Sequence, residues 1–201
     1  MRRGTLFIFV KAPVAGRVKT RLGAEIGMGR AAALFRILTE RAIAEAAKGD
    51  WETVLAVDPP SAVKGWGALF PPRIRRIAQG SGDLGARMGR VFERAPPGPA
   101  VIIGADAPGL RARHLEDAFA RLRSADAVFG PAEDGGYWLI GLRRRRPAPD
   151  LFNGVRWSTR HALKDTMKTL PDAFAAAMLN TLVDIDEAKD LSQFALRATA
   201  R

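Results

Sequence analysis

Hydrophobic runs of strand length alternate along this chain with longer segments whose apolar residues recur every three or four positions. Thr5 to Val10 (TLFIFV), Thr53 to Val57 (TVLAV) and Ala100 to Gly104 (AVIIG) are continuous apolar runs, the mark of strands buried on both faces. Ile74 to Ala78 is a weaker strand, and Ala127 to Ala132 and Tyr137 to Leu142 are two later ones. Helical spacing runs from Ala31 to Ala47 through Leu34, Leu38 and Ile43, and from Leu84 to Ala95 with Leu84, Met88, Val91 and Phe92 on one side. Further helices are predicted over Leu115 to Leu122, from Trp157-Ser158-Thr159 to about Leu170, and over Glu187 to Ala198. Such alternation predicts an α/β fold, a mostly parallel sheet covered by helices on both faces as a three-layer α/β/α sandwich. The turn Glu133-Asp134-Gly135-Gly136 joins the last two strands into a late β-hairpin that interrupts the pattern.

With 201 residues, no repeat and no low-complexity linker, the chain reads as a single domain, 1–201. Its 47% hydrophobic and 26% charged residues exclude wholesale disorder and fibrous character. No apolar run approaches the ~18 residues needed to span a bilayer, so a soluble cytoplasmic protein without a membrane partner is expected. The absence of cysteine excludes disulfides, thiolate zinc sites and a cysteine nucleophile. The two histidines, His114 and His161, fall where helices begin and read as surface or capping residues. Any metal is then a hard cation on carboxylates, Mg²⁺ or Mn²⁺. A net charge of +11 calls for polyanions as partners: nucleic acid, acidic lipid or phosphorylated small molecules. An arginine-rich bias of the genome produces the same excess without any function.

Four segments carry the candidate chemistry. The first strand runs into Lys11-Ala12-Pro13-Val14-Ala15-Gly16-Arg17-Val18-Lys19-Thr20-Arg21-Leu22, four cations at the carboxyl end of a buried strand, where open α/β sheets bind ligands. Gly16 permits close backbone approach to a phosphate chain, although Val18 stands where a Walker A loop needs glycine. The competing reading is a solvated basic turn. Gly80-Ser81-Gly82-Asp83-Leu84-Gly85 matches G-x-G-x-x-G, but the polar strand before it, Arg73 to Ile77, favours a structural turn over a dinucleotide loop. Asp106 ends AVIIGAD and is placed either to hold a cation beside a phosphate or to cap a helix. Asp184 and Asp186, two apart in an extended segment, point the same way while Ile185 faces the core; metal ligation and helix capping both fit. The 130–138 segment crowds Glu133, Asp134, Gly135, Gly136 and two aromatics at one rim, either a hairpin turn or a substrate platform. The run Arg143 to Arg146 reads as an exposed connection.

In this order, FVKAPVAGRVKTRL (9–22), QGSGDLGARM (79–88), GADAPGL (104–110), GPAEDGGYWLIGL (130–142), FNGVRWST (152–159) and Asp184 to Asp186 resemble the glycosyltransferase-A-like (GT-A) nucleotide-diphospho-sugar transferase superfamily. The likeness covers almost the whole chain. It is narrowest to a bacterial family of this length usually labelled glycosyltransferase. The first loop and Gly-Ala-Asp-x-Pro are also similar to 2-phospholactate guanylyltransferases and, more distantly, to molybdenum cofactor guanylyltransferases. The resemblance implies the Rossmann-like GT-A fold and explains the G-x-G-x-x-G as a family loop. It also implies Lys11, Pro13, Gly16, Arg17, Lys19, Arg21, Gly82 and Asp83 as nucleotide- and phosphate-binding residues. Asp106, Asp184 and Asp186 are implied as ligands of Mg²⁺ (or Mn²⁺), and Glu133, Asp134, Gly135, Gly136, Trp157 and Ser158 as the acceptor side. The loop departs from the L-x-A-G-G-x-S-x-R-M form of sugar nucleotidyltransferases by carrying Ala12 to Gly16 instead.

The expected activity is therefore Mg²⁺-dependent nucleotidyl transfer from a nucleoside triphosphate to a small phosphorylated or anionic metabolite, with Lys19, Arg21 and Asp106 as the catalytic set. An acceptor already ionised at neutral pH needs no general base, in accord with so few histidines. Glycosyl transfer from a nucleotide sugar is the alternative, with Glu133 or Asp134 available as base. A non-catalytic nucleic-acid binder is a further alternative, although few aromatics are placed to stack bases, and no specific nucleic acid is expected.

Overall fold

Alternate residues of β1 (Thr5–Lys11) supply two separate cores, one on each side of the sheet to which the strand belongs. Leu6, Ile8 and Val10 face one way and Phe7 and Phe9 the other. The computed structural model describes residues 4–65, 70–144 and 149–191. Within them β2 (Glu52–Asp58), β3 (Arg75–Ala78) and β4 (Ala100–Gly104) run parallel to β1. The sheet continues through β5 (Ala127–Pro131), β6 (Tyr137–Leu142) and β7 (Ala176–Met178), giving the order β3-β2-β1-β4-β6-β5-β7.

The expected late hairpin is present, and β6 enters the sheet between β4 and β5, antiparallel to both. The remaining strands share one direction, because β7 pairs parallel with β5. Over one face lie α2 (Met28–Ala46) and α4 (Ala112–Arg121), which contribute Ala42, Ile43, Leu115 and Phe119 to the core. Over the other lies α3 (Leu84–Arg94), with Met88, Val91 and Phe92 inward but Leu84, 44% exposed at the helix start, turned to a cleft instead of the core, beside α5 (Ala162–Lys168), whose Leu163 packs on the same cluster. The three-layer α/β/α sandwich is the architecture the hydrophobic period predicts.

Several expectations shift. The basic loop is shorter than its charge pattern suggests, because a short helix, α1 (Thr20–Ile26), begins within it and Gly27, at φ 95°, separates that helix from α2. The strand β7 has no sequence signal, since three residues with an exposed, half-buried, exposed pattern carry no period. The helix expected from Trp157 starts only at Ala162; turns occupy 157–161, where Thr159 Oγ1 donates to the Arg156 carbonyl. Arg144 is not part of an exposed connection: its guanidinium donates to the carbonyls of Phe92 and Ala95 at the end of α3. Arg145, Arg146 and Pro147 lie outside the described residues, as does the expected last helix beyond residue 191; residues 188–191 are helical. No helix among the described residues is long and apolar enough to cross a membrane.

Candidate active site

All the parallel strands direct their carboxyl ends to one edge, and there the loops after β1, β3 and β4 enclose a cleft of about 620 Å³. The first loop is anchored at Val18, 3% exposed, which packs against Ala32 and Phe35 of α2, and at Leu22 of α1, fully buried. Between these anchors Lys19 is forced into the left-handed conformation (φ 46°, ψ 47°), which costs a side-chain-bearing residue about 1–3 kcal/mol. Its side chain is turned inward and only 6% exposed.

The Lys19 ammonium donates to Asp106 Oδ2 at 2.7 Å and to Asp186 Oδ1 at 2.5 Å. Burial works against its charge, but the Asp106 and Asp186 carboxylates outweigh that and hold Lys19 protonated well above the ordinary lysine range. Asp106 follows β4, where Gly104 leaves it room; a Cβ at 104 would stand 2.8 Å from Asp106 Oδ1. Asp186 arrives from the other end of the chain on an extended segment whose Ile185, 1% exposed, is buried with Leu22 and Leu38. The expected alternation of Asp184, Ile185 and Asp186 places Ile185 inward and brings both carboxylates to the Lys19 region. Burial pushes the Asp184 carboxyl up to about 8, the Asp106 carboxylate adds to the rise, and the Lys19 ammonium opposes it. Asp184 Oδ1 is buried with no hydrogen-bond partner among the described residues.

Lys11, Arg17 and Arg21 line the same cleft, and none of them makes a side-chain hydrogen bond or ion pair among the described residues. The opposite wall comes from the glycine-rich loop. Gly80 and Gly82 take φ of 84° and 97°, and Asp83 caps α3 by accepting from the Ala86 amide at 2.8 Å, so the loop is a built turn whose Gly82 and Asp83 face the cleft. Two residues of this wall were not singled out by charge or spacing. Gln79, buried, donates to the carbonyls of Val10 and Ala56 and so ties the ends of β1 and β2 together. Arg87 reaches Gly82 O at 3.0 Å and Asp58 Oδ2 at 3.2 Å. Both fall within the resembling stretch 79–88, the one signal in the sequence that covers them.

On the acceptor side the structure divides the expected residues. Ser158 lines the cleft and is held at φ 58°. Glu133, Asp134, Gly135, Gly136 and Trp157 are not among the lining residues, nor are Pro13, Gly16 and Asp184. The 133–136 turn is docked on the chain before α5: Gly135, at φ 85°, lies so close to Arg160 that a Cβ would meet its carbonyl oxygen at 2.3 Å. Asp134 remains near enough to Asp184 to raise its pKa. Trp157, half-buried, packs beside Tyr137 and Phe152 against Gly85 of α3, at the edge of the core. His114 accepts from the Arg111 amide through Nδ1 at the start of α4, the capping role expected of it.

The carboxylates of Asp106, Asp184 and Asp186 are hard oxygen donors, and the unpartnered Asp184 Oδ1 is of the kind that a hard cation satisfies. As they stand, no three acidic or histidine side chains among the described residues are grouped to ligate one ion. The Lys19 ammonium lies between two of them.

None of the curated proteins matches the chain. The sequence pattern of the family described as "Uncharacterized protein conserved in bacteria (DUF2064)" matches residues 42–159. Among solved structures, a Desulfovibrio desulfuricans protein named as a nucleotide-diphospho-sugar transferase is 30% identical with a TM-score of 0.88, over 96% of this chain and 87% of that one. The 4-diphosphocytidyl-2C-methyl-D-erythritol synthase of Anaerococcus prevotii is 12% identical with a TM-score of 0.59, over 99% of this chain and 100% of that one. A Mycobacterium tuberculosis protein in complex with manganese is 16% identical with a TM-score of 0.51, over 94% and 97% of the two chains. The matched stretch exceeds half of the sequence and the Desulfovibrio likeness spans nearly all of it, so the chain belongs to the bacterial DUF2064 family and has the nucleotide-diphospho-sugar transferase fold.

Proposed function

We propose that this transferase-fold chain is a divalent-cation-dependent nucleotidyltransferase, moving a nucleoside monophosphate from a nucleoside triphosphate to a small phosphorylated or anionic metabolite. The observation that carries the reading is the cleft wall of Lys11, Arg17 and Arg21, three cations without partners among the described residues, next to the Lys19–Asp106–Asp186 cluster. Unpaired cations converging on one cleft at a sheet's carboxyl edge suit a polyphosphate chain, which supplies an oxygen to each. Arg17 and Arg21 bind and orient the phosphates, and Lys19 neutralises the charge that grows on the leaving pyrophosphate. Asp106, Asp184 and Asp186 are the residues that would hold Mg²⁺ or Mn²⁺. Held there, the cation would supply positive charge to offset that of the phosphates. Ser158, which lines the cleft, is the residue assigned to the acceptor side.

The name of the Desulfovibrio relative favours a second reading, in which the donor is a nucleotide sugar and the leaving group a nucleoside diphosphate. A thermal-shift panel of the four nucleoside triphosphates and common nucleotide sugars, each with and without Mg²⁺, separates the two. A ligand at 100 times its Kd stabilises the fold by about 2.7 kcal/mol. A Mg²⁺-dependent rise with a triphosphate is expected. A rise confined to nucleotide sugars overturns nucleotidyl transfer in favour of glycosyl transfer, and silence across the panel overturns both.

A further inference from the structure

We infer that Lys19 and the divalent cation exclude one another from the same carboxylates, so that the protein takes its cation only together with a polyphosphate, as one chelate, and keeps none in residence. The inference rests on the nucleotide-transfer reading and concerns the form in which the ligand arrives. Lys19 occupies the space between Asp106 and Asp186, 2.7 and 2.5 Å from their oxygens, with its side chain 6% exposed. A dication brought alone to those carboxylates must displace a largely buried ammonium and leave it unpaired beside a like charge, which is costly. A polyphosphate brought alone draws Lys19 towards Arg17 and Arg21 and strips two carboxylates of their partner next to a new anion.

When both arrive together the ions exchange. Lys19 passes from carboxylate to phosphate oxygens, and the cation takes Asp106 and Asp186 and gains Asp184, whose buried Oδ1 the ammonium leaves unused. The Lys19 ammonium and the Asp106 and Asp186 carboxylates are then paired in both states, so the two ligands bind with positive coupling. By linkage each raises the other's affinity by the same factor, roughly 5- to 150-fold for ordinary couplings.

The test uses the intact protein, MnCl₂ and inorganic pyrophosphate. Equilibrium dialysis of pyrophosphate is expected to show binding at least about fivefold tighter with saturating Mn²⁺ than without it. Electron paramagnetic resonance of free Mn²⁺, with no phosphate present, is expected to show weak binding by the wild type and at least about fivefold tighter binding by Lys19→Met, in which the carboxylates are vacated. Pyrophosphate binding that ignores Mn²⁺ overturns the coupling while leaving the phosphate reading intact. Failure of pyrophosphate to bind in either condition overturns both. Equal Mn²⁺ affinity in wild type and a folded Lys19→Met also overturns the inference; should that variant not fold, the wild-type dialysis decides alone.

Discussion

Arg17 and Arg21 are exposed, line the cleft and make no side-chain hydrogen bond or ion pair among the described residues. Replacing either by alanine therefore separates binding from stability. A lost charge-assisted contact is worth about 1.5–3 kcal/mol, so triphosphate affinity measured by calorimetry is expected to fall roughly 10- to 100-fold. The thermal midpoint should move by no more than about 2 °C, as surface substitutions without partners change stability by under about 0.5 kcal/mol. Lys19 behaves differently, because its removal leaves Asp106 and Asp186 facing each other without a cation. Charge and position after a buried strand made all of these residues legible in the sequence. Their division into one committed and three uncommitted cations was not, since Asp106 and Asp186 stand 87 and 167 positions from Lys19.

The short turns around the cleft are held by a few contacts whose loss can be measured separately. Arg156 grips Asp165 with two hydrogen bonds, Nε to Oδ2 at 2.7 Å and a terminal nitrogen to Oδ1 at 2.9 Å, closing the segment that carries Ser158. Those hydrogen bonds lower the Asp165 carboxyl from 3.8 to about 2. A folded-state pKa below the unfolded one stabilises the fold above the unfolded value, and the contribution is lost as pH falls through the folded value. The gap in thermal midpoint between wild type and Asp165→Asn should accordingly be constant above about pH 5 and close towards pH 2. A gap unchanged down to pH 2 would refute the assignment. On the far side of the cleft, Ile185 holds the segment bearing Asp184 and Asp186 against Leu22 and Leu38. Truncation of a buried isoleucine costs about 2–5 kcal/mol. For Ile185→Ala, hydrogen exchange should lose protection over 184–191 before the sheet does, and triphosphate binding should weaken with it. Strand and helix positions were readable from period at this scale; β7 and α1 were not, being too short for a period to show.

Across the whole molecule, 32 basic and 21 acidic side chains set a net positive field that attracts anions, to which the proposed phosphate site would add the specific part. Raising salt from about 0.1 M to 1 M shortens the Debye length from ~10 Å to ~3 Å. The rate of triphosphate association, followed by stopped flow, should fall severalfold over that range while dissociation changes much less, because the contacts inside the cleft are shielded from the added ions. A dissociation rate that carries most of the salt effect would place the charge dependence in the bound state instead.

Local pattern alone determined most of the strands and helices, β7 and α1 excepted, which residues of the long strands and helices face the core, and that the sheet is layered on both sides. The reason is that periods of 2 and 3.6 residues are written into neighbouring positions and need no partner to be read. Tertiary structure decided what those segments meet: the insertion of β6 between β4 and β5, the packing of Trp157 against the edge of the core, and the gathering of Lys19, Asp106 and Asp186 at one point. Such contacts depend on strand order and on the packing of residues such as Val18 and Ile185, and long-range packing leaves no local period behind.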